Sequence, residues 1–316
     1  IFMKNNNPKG ILYILVGMAI FSIQDALIKF VYEDSALYEL YFGRTLTAAI
    51  LLISYLKYSK QKIILKAHYP YLAVIRVSCF FFGFSFFYLS LTFMSLAMAN
   101  ALFFSSPFFI SILAMIFLKE KIGIRRWSAI FVGFVGVYIV LNPDFNNFNV
   151  KSLAPVACAL CYAISMTITK ITSDKDNVYT QMIHLYIGAI LISILFFIFT
   201  GKGQFNNFTD PTFQFMLREW FTNTTYAWPL IIVMGVVATF SFYFVFSAYS
   251  IASPSAISLF EYSLIIWSII TGYLLFNDIP SVRTFIGVIL IISAGIYIYI
   301  REKVKEQYIA TENPIR

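Results

Sequence analysis

Ten apolar stretches, each long enough to cross a bilayer, fall into two sets of five that repeat one another. Residues 36–42 shifted by 141 positions meet 177–183, and residues 84–141 shifted by 158 meet 242–299 without a gap. An odd number of spans per copy forces the second copy to insert upside down. Inverted repeats point to alternating access, with a substrate near the bilayer midplane where the halves meet. The expected fold is an all-α integral membrane protein of ten transmembrane helices in two inverted five-helix repeats, 1–150 and 151–316.

Composition excludes a soluble reading. Apolar residues make up 60% of the chain, charged residues only 12%, and 35 residues are Phe. A spanning helix needs about 20 apolar residues. The expected spans are 11–31, 36–56, 70–92, 96–118, 124–141, 152–172, 178–200, 226–251, 254–276 and 281–300. Little chain lies between them. Ile1 and Phe2 precede Met3, which reads as the natural start. The first span is too long for a signal core, carries Asp25 and Lys29, and has no small-x-small cleavage site after it. Cys79, Cys158 and Cys161 all fall within spans. They form no disulfide framework, and Cys158 and Cys161 lack the further ligands of a zinc site, so they read as small packing residues. No cofactor or metal is expected.

The charges set an expected orientation. With the N-terminus in the cytoplasm, 15 Lys and Arg residues lie on the inner side and 4 on the outer side. This positive-inside bias places both termini in the cytoplasm of a bacterial inner membrane. The net charge of +8 is then met by anionic headgroups, without a nucleic-acid partner. The offset change from 141 to 158 marks 17 extra residues between spans 7 and 8. That segment, 201–226, holds Phe213, Phe215, Met216, Leu217, Trp220 and Phe221, and reads as an amphipathic element on the outer surface.

Ionisable groups inside a bilayer cost about 2.5–3.5 kcal/mol each at its centre, so each needs a reason. Arg44 lies mid-span in span 2. Its planar fork suits a substrate carboxylate; it equally suits a permanent ion pair with Glu39 or Asp25. Arg76 enters span 3 by roughly 9 Å and is able to snorkel to the surface. Glu261, in the run 258–262, has Phe103 as its counterpart by the repeat. The Phe103 carbonyl loses its helical donor to Pro107. A freed carbonyl and a carboxylate at one level suit a cation or a proton. Ser22, Asp25 and Lys29 share one face of span 1 beside Gln24, and Asp25–Lys29 also reads as an internal ion pair. Asn100 and Ser258 are equivalent polar positions; Tyr262 adjoins Glu261. The candidate substrate-binding set is Arg44, Glu261, Arg76, Asn100, Ser258, Tyr262, Gln24 and Asp25. His184 reads as a helix contact. The aromatic run 80–88 reads mainly as packing and lipid-facing surface, with one or two members left to line a pocket.

At these residues the chain resembles a known family. Ala97-Met98-Ala99-Asn100-Ala101, Pro107, Leu118-Lys119-Glu120-Lys121, Arg126-Trp127 and Gly133-Phe134-Val135-Gly136-Val137 resemble the EamA type of the drug/metabolite transporter superfamily. The run 21–29 and Arg44 resemble its branch of rickettsial S-adenosylmethionine uptake carriers. The second copy departs from the pattern, with Ile265 where a proline is common and Asp278 in place of the loop glutamate. The resemblance implies a cavity ringed by helices 1–4 and 6–9, braced by 5 and 10.

No phosphate-cradling loop is present, so ATP drive within this chain is not expected. A lipid-modifying enzyme would need a metal cluster or nucleophile pair. The two histidines, His68 and His184, lie in different segments. The expected function is secondary transport of a small, carboxylate-bearing metabolite, S-adenosylmethionine-like or amino-acid-like, with metabolite export as the alternative. A proton or counter-substrate is the expected coupling partner, and the assembly a monomer or weak homodimer.

Overall fold

The computed structural model of the chain describes residues 6–31, 34–94, 96–141, 150–222, 224–276 and 281–312. Every regular element among them is helical. In order these are α1 (Asn7–Val31), α2 (Leu37–Tyr58), α3 (Pro70–Ser90), α4 (Leu96–Phe103), α5 (Ser106–Phe117), α6 (Ile124–Leu141) and α7 (Ala154–Thr172). They continue as α8 (Val178–Thr200), α9 (Pro211–Leu217), α10 (Thr224–Ile251), α11 (Pro254–Ile257), α12 (Ser263–Phe276) and α13 (Val282–Glu312). Short 3₁₀ turns occupy Val150–Leu153 and Ser258–Tyr262.

Local chemistry sets the helix starts. Pro70 and Pro155 stand in the first turns of α3 and α7, where a missing N–H costs nothing. Asn177 caps α8, its Oδ1 accepting from Thr180 N at 2.9 Å. Glu39 reaches back to the Ala36 N–H at 3.4 Å at the start of α2.

Seven helices among the described residues are long and apolar enough to cross a membrane. The ten-span expectation exceeds this number for definite reasons. Span 2 became α2, which carries Glu39, Arg44 and Lys57. Span 4 is divided into α4 and α5. Span 5 became α6, which has 18 residues and carries Arg125 and Arg126 in its first turn. Span 10 is among the seven and runs beyond its expected end, as α13 continues to Glu312. The expected turn at 277–280 lies outside the described residues.

Two interruptions fall at related positions. Between α4 and α5, the Phe104 N–H bonds Asn100 O, the Ser105 N–H bonds Leu102 O, and the N–H groups of Phe108 and Phe109 both turn to Ser105 O. Pro107 explains this break. Residues 100–104 shifted by 158 are 258–262, where the backbone tightens to 3₁₀ with no proline following. A 3₁₀ stretch within a long helix often marks a functional hinge.

Helix pairing has the same arithmetic. α1 packs along α10 and α3 along α7. Ser241 Oγ donates to Gly17 O at 3.2 Å across the first pair. At the second pair, a Cβ on Gly83 would stand 3.5 Å from Cys158 O. Gly17 plus 141 is Cys158, and Gly83 plus 158 is Ser241. α6 and α13 form a further pair, backbone to backbone: a Cβ on Gly287 would stand 2.5 Å from Gly136 O.

Each end of the bundle is tied by polar contacts. At one end Ser253 N donates to Asn7 Oδ1 at 2.9 Å, Ser253 Oγ donates to Glu120 Oε2 at 2.7 Å, and His68 N donates to Asp176 Oδ1 at 3.0 Å. Ser255 Oγ also donates to Glu120, and Arg126 to Ser255. This end carries most of the lysines and arginines and is called the basic end below. At the other end lies 201–222, which forms only the short helix α9 within turns. Phe215 and Trp220 of this segment are buried, while Phe213 and Phe221 are exposed. The Asp210 carboxyl is held below the usual carboxylate range by the Thr212 N–H and hydroxyl and by Lys151, whose Nζ lies 3.2 Å away.

Candidate functional site

Glu261 sits in the 3₁₀ turn and is almost fully buried. Its Oε1 accepts two hydrogen bonds of 2.6 Å, from the hydroxyls of Tyr162 on α7 and Tyr249 on α10. Oε2 has no hydrogen-bond partner. Ser106, at the start of α5, lies near it, yet its hydroxyl is also without a partner, so the two are not hydrogen-bonded. A doubly bonded carboxylate oxygen next to a free one leaves half the group available to a cation or proton.

Glu261 lines a cavity together with Phe21, Phe80, Phe84, Phe103, Tyr162 and Phe242, with apolar residues completing the wall. The rings pack edge to face or tilted: Phe80–Phe242 at 5.3 Å, Phe103–Tyr162 at 5.6 Å and Phe84–Tyr162 at 6.1 Å. The cavity volume is about 30 Å³, room for one or two waters. A carboxylate among aromatic rings suits a cation, which the carboxylate attracts and any ring face it meets also attracts.

Arg44 is buried at 2% exposure. Its Nη1 donates to Tyr88 Oη at 3.0 Å, and the guanidinium lies 4.9 Å from the Tyr41 ring centre. Nε has no partner, nor do the hydroxyls of Tyr41 and Tyr186. Among the described residues no carboxylate lies within ion-pair distance of Arg44. Glu39 is engaged elsewhere, accepting from Phe221 N at 3.1 Å and Trp228 Nε1 at 2.9 Å. Asp25 is the carboxylate whose charge acts on Arg44 through space, without a hydrogen bond. Gln24 is fully buried with both amide atoms unpartnered.

The remaining candidates lie apart. Arg76 is fully buried and does not snorkel. Its Nη1 donates to Gln181 Oε1 at 2.8 Å and Thr172 Oγ1 at 3.2 Å, and Nη2 reaches Gln181 O at 3.4 Å. This network joins α3, α7 and α8. The Tyr262 ring turns away from the cavity against Gly133, where an added Cβ would meet it at 2.6 Å, and its hydroxyl points to Ile130 O at 3.4 Å. Asn100 is half-buried, and the buried Ser258 hydroxyl has no partner. His184 contacts Leu65 O at 2.8 Å. The Lys29 side chain lies outside the described residues.

Sequence reasoning passed over Tyr88, Tyr162 and Tyr249, which hold the two charged groups. The signal for one was present: Phe80, Phe84 and Tyr88 recur every four residues on one face of α3. Phe84 lies 6.2 Å from Tyr88 and 6.1 Å from Tyr162. An aromatic layer thus stands between the Arg44 group and the Glu261 group.

Long apolar helices around buried, partly unpartnered charges define a multi-pass membrane protein with an internal polar site. The chain belongs to the EamA-like transporter family, which matches it twice, over residues 8–142 and 152–300. It is similar to an S-adenosylmethionine uptake transporter of Rickettsia prowazekii (strain Madrid E), with 26% identity over 93% of each chain. A riboflavin transporter of Vibrio cholerae is 27% identical over 63% of this chain and 60% of its own. A pseudopaline exporter of Pseudomonas aeruginosa is 24% identical over 91% of this chain and 94% of its own. The family and these relatives are transporters, not enzymes. One solved crystal structure shares the fold, with a TM-score of 0.74 at 14% identity over 92% of this chain and 96% of the other.

Proposed function

We propose that this protein is a secondary transporter of the bacterial inner membrane that moves a small zwitterionic metabolite, of the S-adenosylmethionine or amino-acid kind. Arg44 takes the carboxylate through its fork. Glu261 and the surrounding rings take the cationic part or exchange a proton. Gln24, Asp25, Asn100 and Ser258 supply the remaining polar lining, while Arg76 and Tyr262 act as helix-positioning residues. The observation that carries the reading is Arg44, a buried guanidinium without an ion-pair partner among the described residues. A permanent structural cation in hydrocarbon is expected to be paired.

Two inverted five-helix halves, 1–150 and 151–316, make ten spans that rock about the site with both termini in the cytoplasm. The repeated Gly17–Ser241 and Gly83–Cys158 contacts and the interruptions at 100–104 and 258–262 support this arrangement. The likeness to an S-adenosylmethionine uptake transporter supports the substrate class. The test is thermal stability of the purified protein against S-adenosylmethionine, riboflavin and the common amino acids, because a ligand of the folded state raises apparent stability. A shift with S-adenosylmethionine or an amino acid that Arg44→Ala abolishes is the expected result. A shift with riboflavin alone, unaffected by Arg44→Ala, overturns the reading.

A further inference from the structure

A second open space lies apart from the central cavity. A groove of about 320 Å³ runs between α6 and α13 on the outside of the bundle. Its walls are Arg125, Ser128, Ala129 and Val132 from α6, and Ser293, Ala294 and Tyr297 from α13. The helix packing explains its origin. Gly136 and Gly287 bring the two backbones into contact. Toward the basic end the helices part, over the seven residues from Gly136 to Ala129, roughly 10 Å of rise. Small side chains line the opening, with Ala129 and Ala294 at its floor, each 5% exposed.

The groove opens on the membrane-facing side. Phe131, Ile292 and Ile296 beside it are exposed apolar residues. Acyl chains are the solvent there, so the chemistry of the groove's mouth decides which lipid stays. Arg125 stands at that mouth, exposed, with no hydrogen-bond or ion-pair partner among the described residues. Its neighbour Arg126 is committed to Ser255. Lys119 and Lys121 are exposed on the preceding turn. Among the described lining residues none is acidic, and Glu120, on the turn before Arg125, is held by Ser253 and Ser255. A headgroup carrying its own cation would set that cation beside Arg125, Lys119 and Lys121, whereas an anionic headgroup is attracted there.

We propose that this groove binds an anionic phospholipid from the adjoining leaflet, its phosphate on the Arg125 fork and one acyl chain along the Ser128–Ala129 and Ser293–Ala294 walls. Arg is suited to the phosphate because its fork donates two parallel hydrogen bonds. The site is independent of the central cavity and of any transport substrate.

The test is lipid binding to the purified, detergent-solubilised full chain, read by native mass spectrometry with dioleoyl-phosphatidylglycerol and dioleoyl-phosphatidylcholine. Phosphatidylglycerol should bind about tenfold more tightly, the scale of one charge-assisted hydrogen bond. Arg125→Ala should remove that preference and Arg125→Lys should keep part of it. Ser293→Phe, which fills the groove from an exposed position, should weaken both lipids. Lys202→Ala, a charge change at the opposite end of the bundle, should leave the preference intact. Inorganic phosphate at equal concentration should not compete. Equal binding of the two lipids, a preference that survives Arg125→Ala, an equal loss with Lys202→Ala, or competition by free phosphate would each overturn the proposal.

Discussion

Glu39 accepts a 2.9 Å hydrogen bond from the indole Nε1 of Trp228, tying α2 to α10 five residues before Arg44 in the chain. The same carboxylate receives the Phe221 N–H at 3.1 Å. Phe221 is a bulky residue held at φ 62°, in the left-handed region, and stacked 5.5 Å from Trp228. The carboxylate thus compensates a backbone conformation that costs a non-glycine residue roughly 1–2 kcal/mol. Glu39→Ala removes the acceptor for several donors at once. It should lower stability by about 2–3 kcal/mol, seen as a lower thermal midpoint in detergent. An unchanged midpoint would show that water replaces the carboxylate there.

Arg44→Lys keeps the charge but loses the fork. In the proposed transporter it should weaken substrate binding about tenfold or more while the protein remains folded. Tyr88→Phe, which removes the 3.0 Å contact to Nη1, should weaken it less. Unchanged affinity in a folded Arg44→Ala protein removes Arg44 from the site.

For Glu261 the informative comparison is Glu261→Gln against Tyr249→Phe. The first removes the charge and the second one of the two donors to Oε1. If the carboxylate carries the coupling proton, Glu261→Gln should abolish proton-driven uptake yet preserve exchange. If it contacts the substrate cation, binding itself should fall. Tyr249→Phe should shift the pH profile of uptake in a working carrier. Binding, uptake and pH profile all equal to wild type in Glu261→Gln would exclude both roles.

Gly287→Ala should destabilise by about 1–3 kcal/mol, because its Cβ would enter the space of Gly136 O and Val140. Gly123→Ala, whose Cβ meets nothing within 4 Å, should be neutral. Equal midpoints for the two would mean that α6 and α13 do not pack closely in solution.

Single cysteines at Asn207 and Gln61, on a background without native cysteines, address orientation. An impermeant maleimide added outside cells should label Asn207→Cys and not Gln61→Cys. Reversed labelling would invert the proposed topology.

Much of the architecture was legible because a bilayer imposes a coarse rule: long apolar runs become helices. The edges of α8 were readable to the residue, since Asn177 caps its start. The α4–α5 break was readable because Pro107 lacks an N–H. The 3₁₀ turn at Ser258–Tyr262 was not, since no proline marks it. Within the site, the charged groups stood out against an apolar background. Their tyrosine partners did not, because Tyr162 and Tyr249 lie 99 and 12 residues from Glu261, and only tertiary packing chooses among 21 tyrosines. By sequence Glu39 is a candidate mate for Arg44. It is taken instead by Phe221 of the 201–222 segment and by Trp228 of α10, partnerships no periodicity reveals.

The near-absence of space beneath Phe84 has an electrical consequence. A membrane potential of 100 mV acts on each elementary charge with about 2.3 kcal/mol, and any continuous file of water would let protons run down it. With room for one or two waters amid the aromatic rings, this cavity holds no such file. In the proposed carrier, the rings that must part for cargo would also be the ones that keep the idle protein from short-circuiting the membrane.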